Sequence, residues 1–486
     1  MRNTREHRGF LARAAFLALA LAVLPACGDD TDDPILTPDS GTETDAGTDA
    51  GTDAGTDAGA VLDSDIAVAR FNADGTLDTT FGASGISRLD WSTVAGGTRD
   101  SLWGLAVDGD DRLVLFGSKR GDGTRVDADR VVARLTANGA LDTTFGTDGL
   151  TVLNIGNLGD NARNGIVQAD GKIVASGYMS QPTGVGTQSA NRIVLQRLNA
   201  NGQPDETFGF KGVLSSAPFQ AQSASNPEWG MVEAYAVGVQ SDGSYVTTGY
   251  GRTASSGTVD LVSFRYSGAG TLDSQWNTSG VALLDLVGAD DRGRNLVVLK
   301  NDNVCMVGSA KPTTSKISAM VMMLDKGGAR DTAFAAEGYR LYEYDRSESA
   351  FFGAATSPDG TWAAAAGYRS GDSQDADAVL AIIPVGDTVG LEVSKATPIS
   401  ETEDDRFWAV AFDAGNKVYG AGFVTEGGDN RMVVARFNTN GTLDTSFGTG
   451  GIAKLNIAVA KTEETVRGIV VQKNGKIVVA GPIEKL

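Results

Sequence analysis

Short segments of alternating apolar and polar residues recur along the chain. In the clearest copy, Val131, Ala133 and Leu135 alternate with the residues between them, which is the period of a β-strand. Asn138-Gly139 then supplies a tight turn, and a second short strand is predicted at Leu150–Leu153. This pattern predicts a hairpin.

A second kind of hairpin follows each hairpin of the first kind. At Gly165–Tyr178, Ile166-Val167 predicts one strand, Ala169-Asp170-Gly171 a turn, and Lys172–Ser176 the returning strand. The same pattern recurs at Leu105–Gly117, Val237–Gly249, Val297–Gly308, Ala354–Gly367, Val410–Gly422 and Ile469–Gly481. Each period therefore contains two hairpins, or four strands.

A short motif marks the period. LDTTFG occurs at Leu77–Gly82 and Leu141–Gly146, and it returns in altered form, with its aromatic residue at Phe208, Trp276, Phe334 and Phe447. Successive aromatic residues are 64, 63, 68, 58 and 113 residues apart. The last gap is nearly two periods, which predicts a degenerate copy near Asp375–Ser400.

Seven periods of four strands predict an all-β fold, a seven-bladed β-propeller of four-stranded blades, over residues 61–486. The glycine-rich hairpins are expected to form the inner two strands of each blade. The chain begins with an outer hairpin and ends with an inner one, so we expect the N-terminal hairpin to complete the last blade and remove two exposed sheet edges.

Two stretches resemble a known repeat. RFNADGTLDTTFGASG at Arg70–Gly85 and VQADGKIVASG at Val167–Gly177 resemble the delta-60 repeat family of bacterial β-propeller proteins. The resemblance extends from about residue 64 to 483, and the sixth copy departs from it most. It implies a surface or envelope protein.

The N-terminus has the features of an export signal. Four arginines precede a short apolar stretch, Ala14–Val23, and Leu24-Pro25-Ala26-Cys27 then resembles a bacterial lipobox. We expect residues 1–26 to be a lipoprotein signal peptide and Cys27 to carry lipid that anchors the chain in a membrane. Gly28 follows the cysteine, which favours the outer membrane. Residues 27–60, acidic and rich in Thr-Asp-Ala-Gly, are predicted to be a disordered tether.

Composition excludes several functions. The net charge of −20 argues against nucleic acid as a partner. The single histidine, His7, lies in the signal peptide, so histidine-based triads and zinc sites are excluded from the mature chain. Cys305 alternates with apolar residues and is expected to be a buried, inert thiol. We find no cofactor motif and predict neither a metal site nor catalytic residues.

Residues that recur in every blade are expected to be structural, and a binding site is expected where the copies differ. An arginine stands eight residues before the marker aspartate in five copies, and these pairs are expected to bridge or cap turns. The position before each inner strand instead varies and is rich in aromatic residues and arginine. Aligned on the turn, these binding candidates are Trp103, Arg163, Tyr235, Asn295, Phe352, Trp408 and Arg467.

Two interpretations of these residues remain open, because bulky side chains at this position also plug a channel or pack between blades. Weaker candidates are the aromatic residues of Tyr339–Phe352 and the insertions Ser180–Ala190 and Ala217–Glu228. The first functional hypothesis is a non-enzymatic envelope lipoprotein whose propeller binds a protein or polysaccharide, or acts as a scaffold. The alternatives are a carbohydrate-active hydrolase or lyase that uses channel carboxylates, and a purely structural surface protein.

Overall fold

The computed structural model describes residues 64–484 except 93–99, 122–124, 126, 157, 183–188, 220–229, 254–257, 287–288, 314, 372–373, 387–391 and 458–463. Contacts divide the chain into Met1–Thr37, which lies outside the described residues, and Pro38–Leu486, which contains the fold described below. The predicted signal peptide, Cys27 and the tether also lie outside the described residues.

Twenty-eight β-strands form seven blades of four antiparallel strands. Blade 1 consists of β3 Ser101–Val107, β4 Leu113–Arg120, β5 Ala128–Leu135 and β6 Leu150–Leu153. Blade 2 consists of β7 Asn164–Val167, β8 Ile173–Pro182, β9 Ser189–Leu198 and β10 Val213–Ser216. Blade 3 consists of β11 Met231–Val239, β12 Tyr245–Arg252, β13 Asp260–Tyr266 and β14 Ala282–Leu284. Blades 4 and 5 are β15 Arg292–Val298, β16 Val304–Thr313, β17 Lys316–Leu324, β18 Tyr339–Tyr342; and β19 Glu348–Thr356, β20 Trp362–Gly371, β21 Gln374–Pro384, β22 Val393–Ala396. Blade 6 is β23 Asp405–Phe412, β24 Val418–Glu426, β25 Asp429–Phe437, β26 Ile452–Leu455, and blade 7 is β27 Gly468–Val471, β28 Ile477–Glu484, β1 Ser64–Phe71, β2 Ile86–Leu89.

The first strands of neighbouring blades pack against one another in a closed circuit from β3 through β7, β11, β15, β19 and β23 to β27 and back to β3. The glycine-rich hairpins are therefore the inner strands, as predicted. A single parallel bridge between Ile317 and Glu348 joins the sheets of blades 4 and 5. The one helical segment among the described residues is the 3-10 turn Trp276–Thr278.

The ends of the propeller meet in blade 7. β1 pairs with β28 from Ser64 opposite Glu484 to Phe71 opposite Ile477, so the first described residues complete the sheet begun by the last. This confirms the predicted closure by the N-terminal hairpin. The degenerate sixth copy is also present, because β21 and β22 occupy Gln374–Ala396.

Among the described residues, seven hydrophobic clusters lie one between each pair of neighbouring blades. The marker aromatic Phe145 illustrates why the motif recurs. Gly202 lies in a turn of the next blade and has φ +81°. A Cβ atom on Gly202 would lie only 2.9 Å from the Phe145 ring. Glycine is therefore required for the approach as well as for the backbone conformation. Phe81 packs in the same way against Gly139.

The recurring arginine connects blades as well as capping a turn. Arg134 Nε lies 2.8 Å from Asp142 Oδ2, the guanidinium carbon is 4.6 Å from the Phe145 ring centroid, and Nη1 donates to Ala200 O of the next blade. Asp142 Oδ1 accepts from Thr144 N and Oγ1 within its own turn. The same Arg–Asp pair forms in the copies at Arg70, Arg197, Arg265 and Arg436. These charged residues are part of the blade interface, as expected for residues that recur.

The sixth copy lacks the marker motif, and contacts made by Glu392 take its place. Glu392 accepts a hydrogen bond from Tyr342 Oη at 2.6 Å and pairs with Arg340 Nη1, both on β18 of blade 4. Tyr342 and Tyr344 also pack against Phe351, with ring centroids 5.3 and 6.2 Å away. The aromatic residues of Tyr339–Phe351 therefore belong mainly to the core between blades 4 and 5. Cys305 lies in the same core, where burial raises the pKa of its thiol to about 12.

Candidate functional site

One residue occupies an equivalent position in every blade, within the N-terminal part of the first strand or directly before it. In five blades this residue is skipped in the ladder with the second strand, which produces a β-bulge: Trp103, Tyr235, Arg294, Phe352 and Trp408. In blades 2 and 7 the equivalent residues are Arg163 and Arg467, which precede the strands and donate their N–H to Ser176 O and Ala480 O. We call these seven residues the aromatic–arginine ring.

One predicted member of this set is corrected by the strand register. Residue Asn295 pairs with Val307, whereas Arg294 is the bulged residue of blade 4. Arg294 also stands five residues before the turn residue Leu299, the spacing found in the other blades. Asn295 lies one step further along the strand, where its Oδ1 is 3.4 Å from Asn164 Nδ2. Because Asn164 and Asn295 belong to blades 2 and 4, this bond spans the channel past blade 3.

The seven ring residues contact one another in an unbroken circle. The guanidinium carbon of Arg163 is 4.0 Å from the ring centroid of Trp103 and 5.1 Å from that of Tyr235. Arg294 lies 5.1 Å from Tyr235 and 5.0 Å from Phe352.

The other side of the circle completes the closure. Phe352 and Trp408 meet edge to face with centroids 4.6 Å apart. Arg467 lies 4.4 Å from Trp408 and 5.3 Å from Trp103. Each arginine is thus flanked by two aromatic rings from neighbouring blades, a cation–π arrangement. These contacts show that the ring residues pack against one another. The half-buried members of the ring also expose part of their surface to solvent.

Tyrosines of the second strands support the ring. Arg163 Nη2 lies 2.5 Å from Tyr178 Oη, and Tyr235 Oη lies 3.1 Å from Tyr250 Oη. In blade 5, the rings of Tyr368 and Phe352 stack with centroids 5.8 Å apart. Burial raises the pKa of Tyr250 well above its ordinary value, so this hydroxyl stays protonated. Sequence reasoning missed these tyrosines, although each directly follows the last glycine of its inner hairpin.

Further arginines gather on the same side. The Arg292 guanidinium carbon lies 4.9 Å from the Tyr250 ring centroid, and that of Arg406 lies 4.2 Å from Tyr368. The carboxylate of Glu348 accepts from Tyr368 Oη at 2.8 Å. The face that carries the ring is therefore rich in arginine and aromatic residues although the whole chain is acidic.

A carboxylate stands three residues before the ring position in five blades. These residues are Asp100, Asp160, Asp291, Asp405 and Glu464. A blade junction is the segment between the fourth strand of one blade and the first strand of the next. Each of these carboxylates accepts backbone N–H groups of the junction that precedes it. Asp160, for example, accepts from Ile155 N at 2.9 Å. Burial raises the pKa of Asp100, Asp160 and Asp291 to about 7. These side chains fix where each first strand enters the ring.

Two blade junctions bring three carboxylates together. One oxygen of each of Asp65, Asp90 and Asp100, and separately of Asp260, Asp285 and Asp291, lies within 4.8 Å of the other two in its group. Sequence reasoning did not find these groups because each is assembled from separate strands. Of the loop candidates, Ser180–Ala190 falls partly and Ala217–Glu228 mostly outside the described residues.

The chain is similar to the family described as a domain of unknown function (DUF5122) beta-propeller over residues 58–81, 122–145, 168–208 and 416–447. Together with the seven four-stranded blades, this similarity identifies a β-propeller repeat protein. No curated protein matches the sequence. Among the described residues, no helix has the length and apolar character needed to cross a membrane.

Several solved structures resemble the fold. A catalytically inactive virginiamycin B lyase from Staphylococcus aureus with quinupristin is 12% identical, with 79% of this chain and 95% of that chain covered and a TM-score of 0.40. The polysaccharide lyase Uly1 is 9% identical, with coverage of 87% and 99% and a TM-score of 0.41. The soluble aldose sugar dehydrogenase of Escherichia coli, in its apo form, is 10% identical, with coverage of 79% and 97% and a TM-score of 0.37.

Proposed function

We propose that this chain is an envelope lipoprotein of the delta-60 repeat type whose propeller is a non-enzymatic binding module for a polysaccharide or protein. The observation that carries the proposal is the aromatic–arginine ring. Aromatic faces stack on sugars, and Trp, Tyr and Arg are the usual anchors of protein interfaces. Because the ring arginines are held between aromatic rings, a ligand would meet them with little loss of side-chain entropy.

The ring lies on the face from which β1 starts, and the predicted tether would join the propeller there. β1 is antiparallel to β28, which is antiparallel to β27, so β1 starts on the same face as the first strands. Ser64 Oγ donates to Asp100 O at 3.1 Å, three residues before Trp103. A lipid on Cys27 would therefore hold the ring face on the tether side of the propeller.

The non-enzymatic part of the proposal is supported by the residues near the ring. The mature chain has no histidine. Among the carboxylates on this face, Asp100 and Asp291 accept backbone N–H groups and Glu348 accepts from Tyr368 Oη. Release of new reducing ends or unsaturated products from a polysaccharide panel by the purified protein would contradict this part.

Substitution of the two ring tryptophans tests the site. We expect Trp103→Ala and Trp408→Ala to reduce binding on an array of glycans and envelope proteins by at least tenfold. The matched control is Trp362→Ala, because Trp362 begins a second strand and so lies at the opposite end of the blade. If Trp408→Ala does not fold, Arg294→Gln and Arg467→Gln test the same ring with half-buried residues. Unchanged binding by folded ring variants would remove the ring as a binding site.

Mass spectrometry of the mature N-terminus tests the anchor. We expect the chain to begin at an acylated Cys27 and to fractionate with the outer membrane, and we expect Cys27→Ser to release it into the soluble fraction. An unmodified Cys27 in membrane-free material would contradict the anchor while leaving the binding proposal intact.

A further inference from the structure

Two blade junctions carry the same arrangement of three aspartates. Asp65 and Asp260 each directly precede the first residue of a third strand that pairs with the fourth strand. Asp90 and Asp285 directly follow the fourth strand, and Asp100 and Asp291 directly precede the next first strand. We call these groups the 7–1 triad and the 3–4 triad. Their equivalence means that the fold creates the same geometry twice.

The fold does not require this arrangement. In the junction between blades 2 and 3 the equivalent residues are Arg192, Ala217 and Val232. In the junction between blades 1 and 2 they are Asp129, Asn154 and Asp160. There, Arg125 pairs with Asp129. A third carboxylate is thus a feature of two junctions rather than of the repeat.

Each triad contains a carboxylate oxygen that is buried and accepts no hydrogen bond. Asp100 is only 1% exposed; its Oδ2 accepts from Trp91 N and Ser92 N, at 2.5 and 3.2 Å, while its buried Oδ1 has no hydrogen-bond partner. In the 3–4 triad the buried oxygen without a partner is Asp260 Oδ1. Asp65, Asp90 and Asp285 have other partners, so the unsatisfied oxygens are those of Asp100 and Asp260. An unsatisfied buried oxygen is costly unless something else compensates it.

Neighbouring negative charge increases the cost, because each triad brings three carboxylates together. A bound cation would offset this negative charge.

We propose that each triad binds a divalent cation, and that the cation is calcium. Calcium takes oxygen ligands at about 2.3–2.6 Å, so two ligands of one ion are at most roughly 5.2 Å apart. The oxygens of each triad meet this limit, since they lie within 4.8 Å of one another. Magnesium demands near-ideal octahedral geometry at about 2.0–2.1 Å and keeps several of its waters, whereas calcium accepts the irregular geometry of carboxylates from separate strands. The remaining calcium ligands would be water.

Cation binding at the 7–1 triad has a structural consequence. Asp65 and Asp90 belong to the N-terminal hairpin, whereas Asp100 directly precedes the first strand of blade 1. Calcium would therefore tie the closing hairpin to the neighbouring blade. This site does not depend on the proposed ligand of the ring.

Equilibrium dialysis of the full-length, chelator-treated protein against calcium alone tests the proposal. We expect two ions per chain, with Kd on the order of 10⁻⁴–10⁻³ M as in extracellular modules, and a higher melting temperature in calcium than in magnesium. Asp100→Asn and Asp260→Asn should each remove one ion, and the double variant both. The matched control is Asp160→Asn, a buried junction aspartate outside both triads, which should still bind two.

Asparagine retains an oxygen for the backbone N–H groups, so the variants are expected to fold, and circular dichroism checks this. If Asp100→Asn does not fold, the exposed Asp90→Asn replaces it. No binding at 5 mM calcium, equal stabilisation by magnesium, or unchanged stoichiometry in the folded variants would overturn the proposal.

Discussion

Asp78→Asn tests how the propeller is closed. Asp78 is 4% exposed, and its Oδ2 lies 2.7 Å from Arg70 Nε and 2.5 Å from Lys476 Nζ. Arg70 belongs to the N-terminal hairpin and Lys476 to the C-terminal hairpin. Arg70 Nη1 also donates to Ala137 O of blade 1 at 2.7 Å. One carboxylate therefore joins both ends of the chain and, through Arg70, the next blade.

The expected loss in free energy of unfolding follows from these contacts. Burial opposes ionisation of Asp78, but Lys476, Thr80 and Arg70 outweigh it and hold its pKa well below the usual range. Removing one partner of a buried ion pair costs about 3–5 kcal/mol. Asparagine keeps one oxygen and Lys476 can reach water, so we expect a loss of about 3 kcal/mol. For a domain of roughly 400 residues this lowers the melting temperature by about 3 °C.

Calorimetry and amide hydrogen exchange provide the assay. Asp142→Asn is the matched control, because it breaks the equivalent pair with Arg134 in blade 1. Both variants should melt at lower temperature, but only Asp78→Asn should speed exchange in β1 and β28 selectively. A melting temperature within 1 °C of the unmodified protein, with unchanged exchange in β1, would refute this account of closure.

Three other predictions concern packing, backbone and pH. Phe145→Ala should cost about 3–5 kcal/mol in denaturant unfolding, because the ring is fully buried against the next blade; a loss below 1 kcal/mol would contradict its interface role. Gly202→Ala should destabilise more than Gly243→Ala, since both have positive φ but only the Cβ at position 202 would meet Phe145 and the backbone N of Gly146. For Asp160, burial raises the folded-state pKa to about 7, so the folded chain binds its proton more tightly than the unfolded chain. Its contribution to stability should therefore fall between about pH 4 and pH 7, and Asp160→Asn should flatten the melting temperature over this window; an unchanged pH profile would contradict the assignment.

The repeated residues made most of the fold predictable. A Phe such as Phe145, the turn glycine it packs on and the arginine beside it are fixed by the same interface in successive blades, so their spacing shows the period directly. Closure was also predictable, because the two ends of the chain carry complementary halves of one blade.

The unrepeated parts were harder to predict. The turn position with φ near +60 to +80° is Gly171 or Gly243 in some copies but Asp111, Asp302 or Asn416 in others. Because the turn of blade 4 lacks this glycine, the sequence pattern placed the ring position one residue too late, at Asn295 instead of Arg294. The supporting tyrosines and the aspartate triads arise only when separate strands meet, so a single strand's pattern carries no sign of them.

Closure in blade 7 also decides how the propeller would respond to force. If Cys27 is anchored, tension along the tether enters the described structure at Ser64. β1 is held there between two partners, with eight residue pairs to β28 and four to β2. Because ladder hydrogen bonds run across the strands, a pull along β1 loads them together in shear instead of opening them one by one. Blade 7, in which the two ends of the chain pair, would therefore also bear the mechanical load.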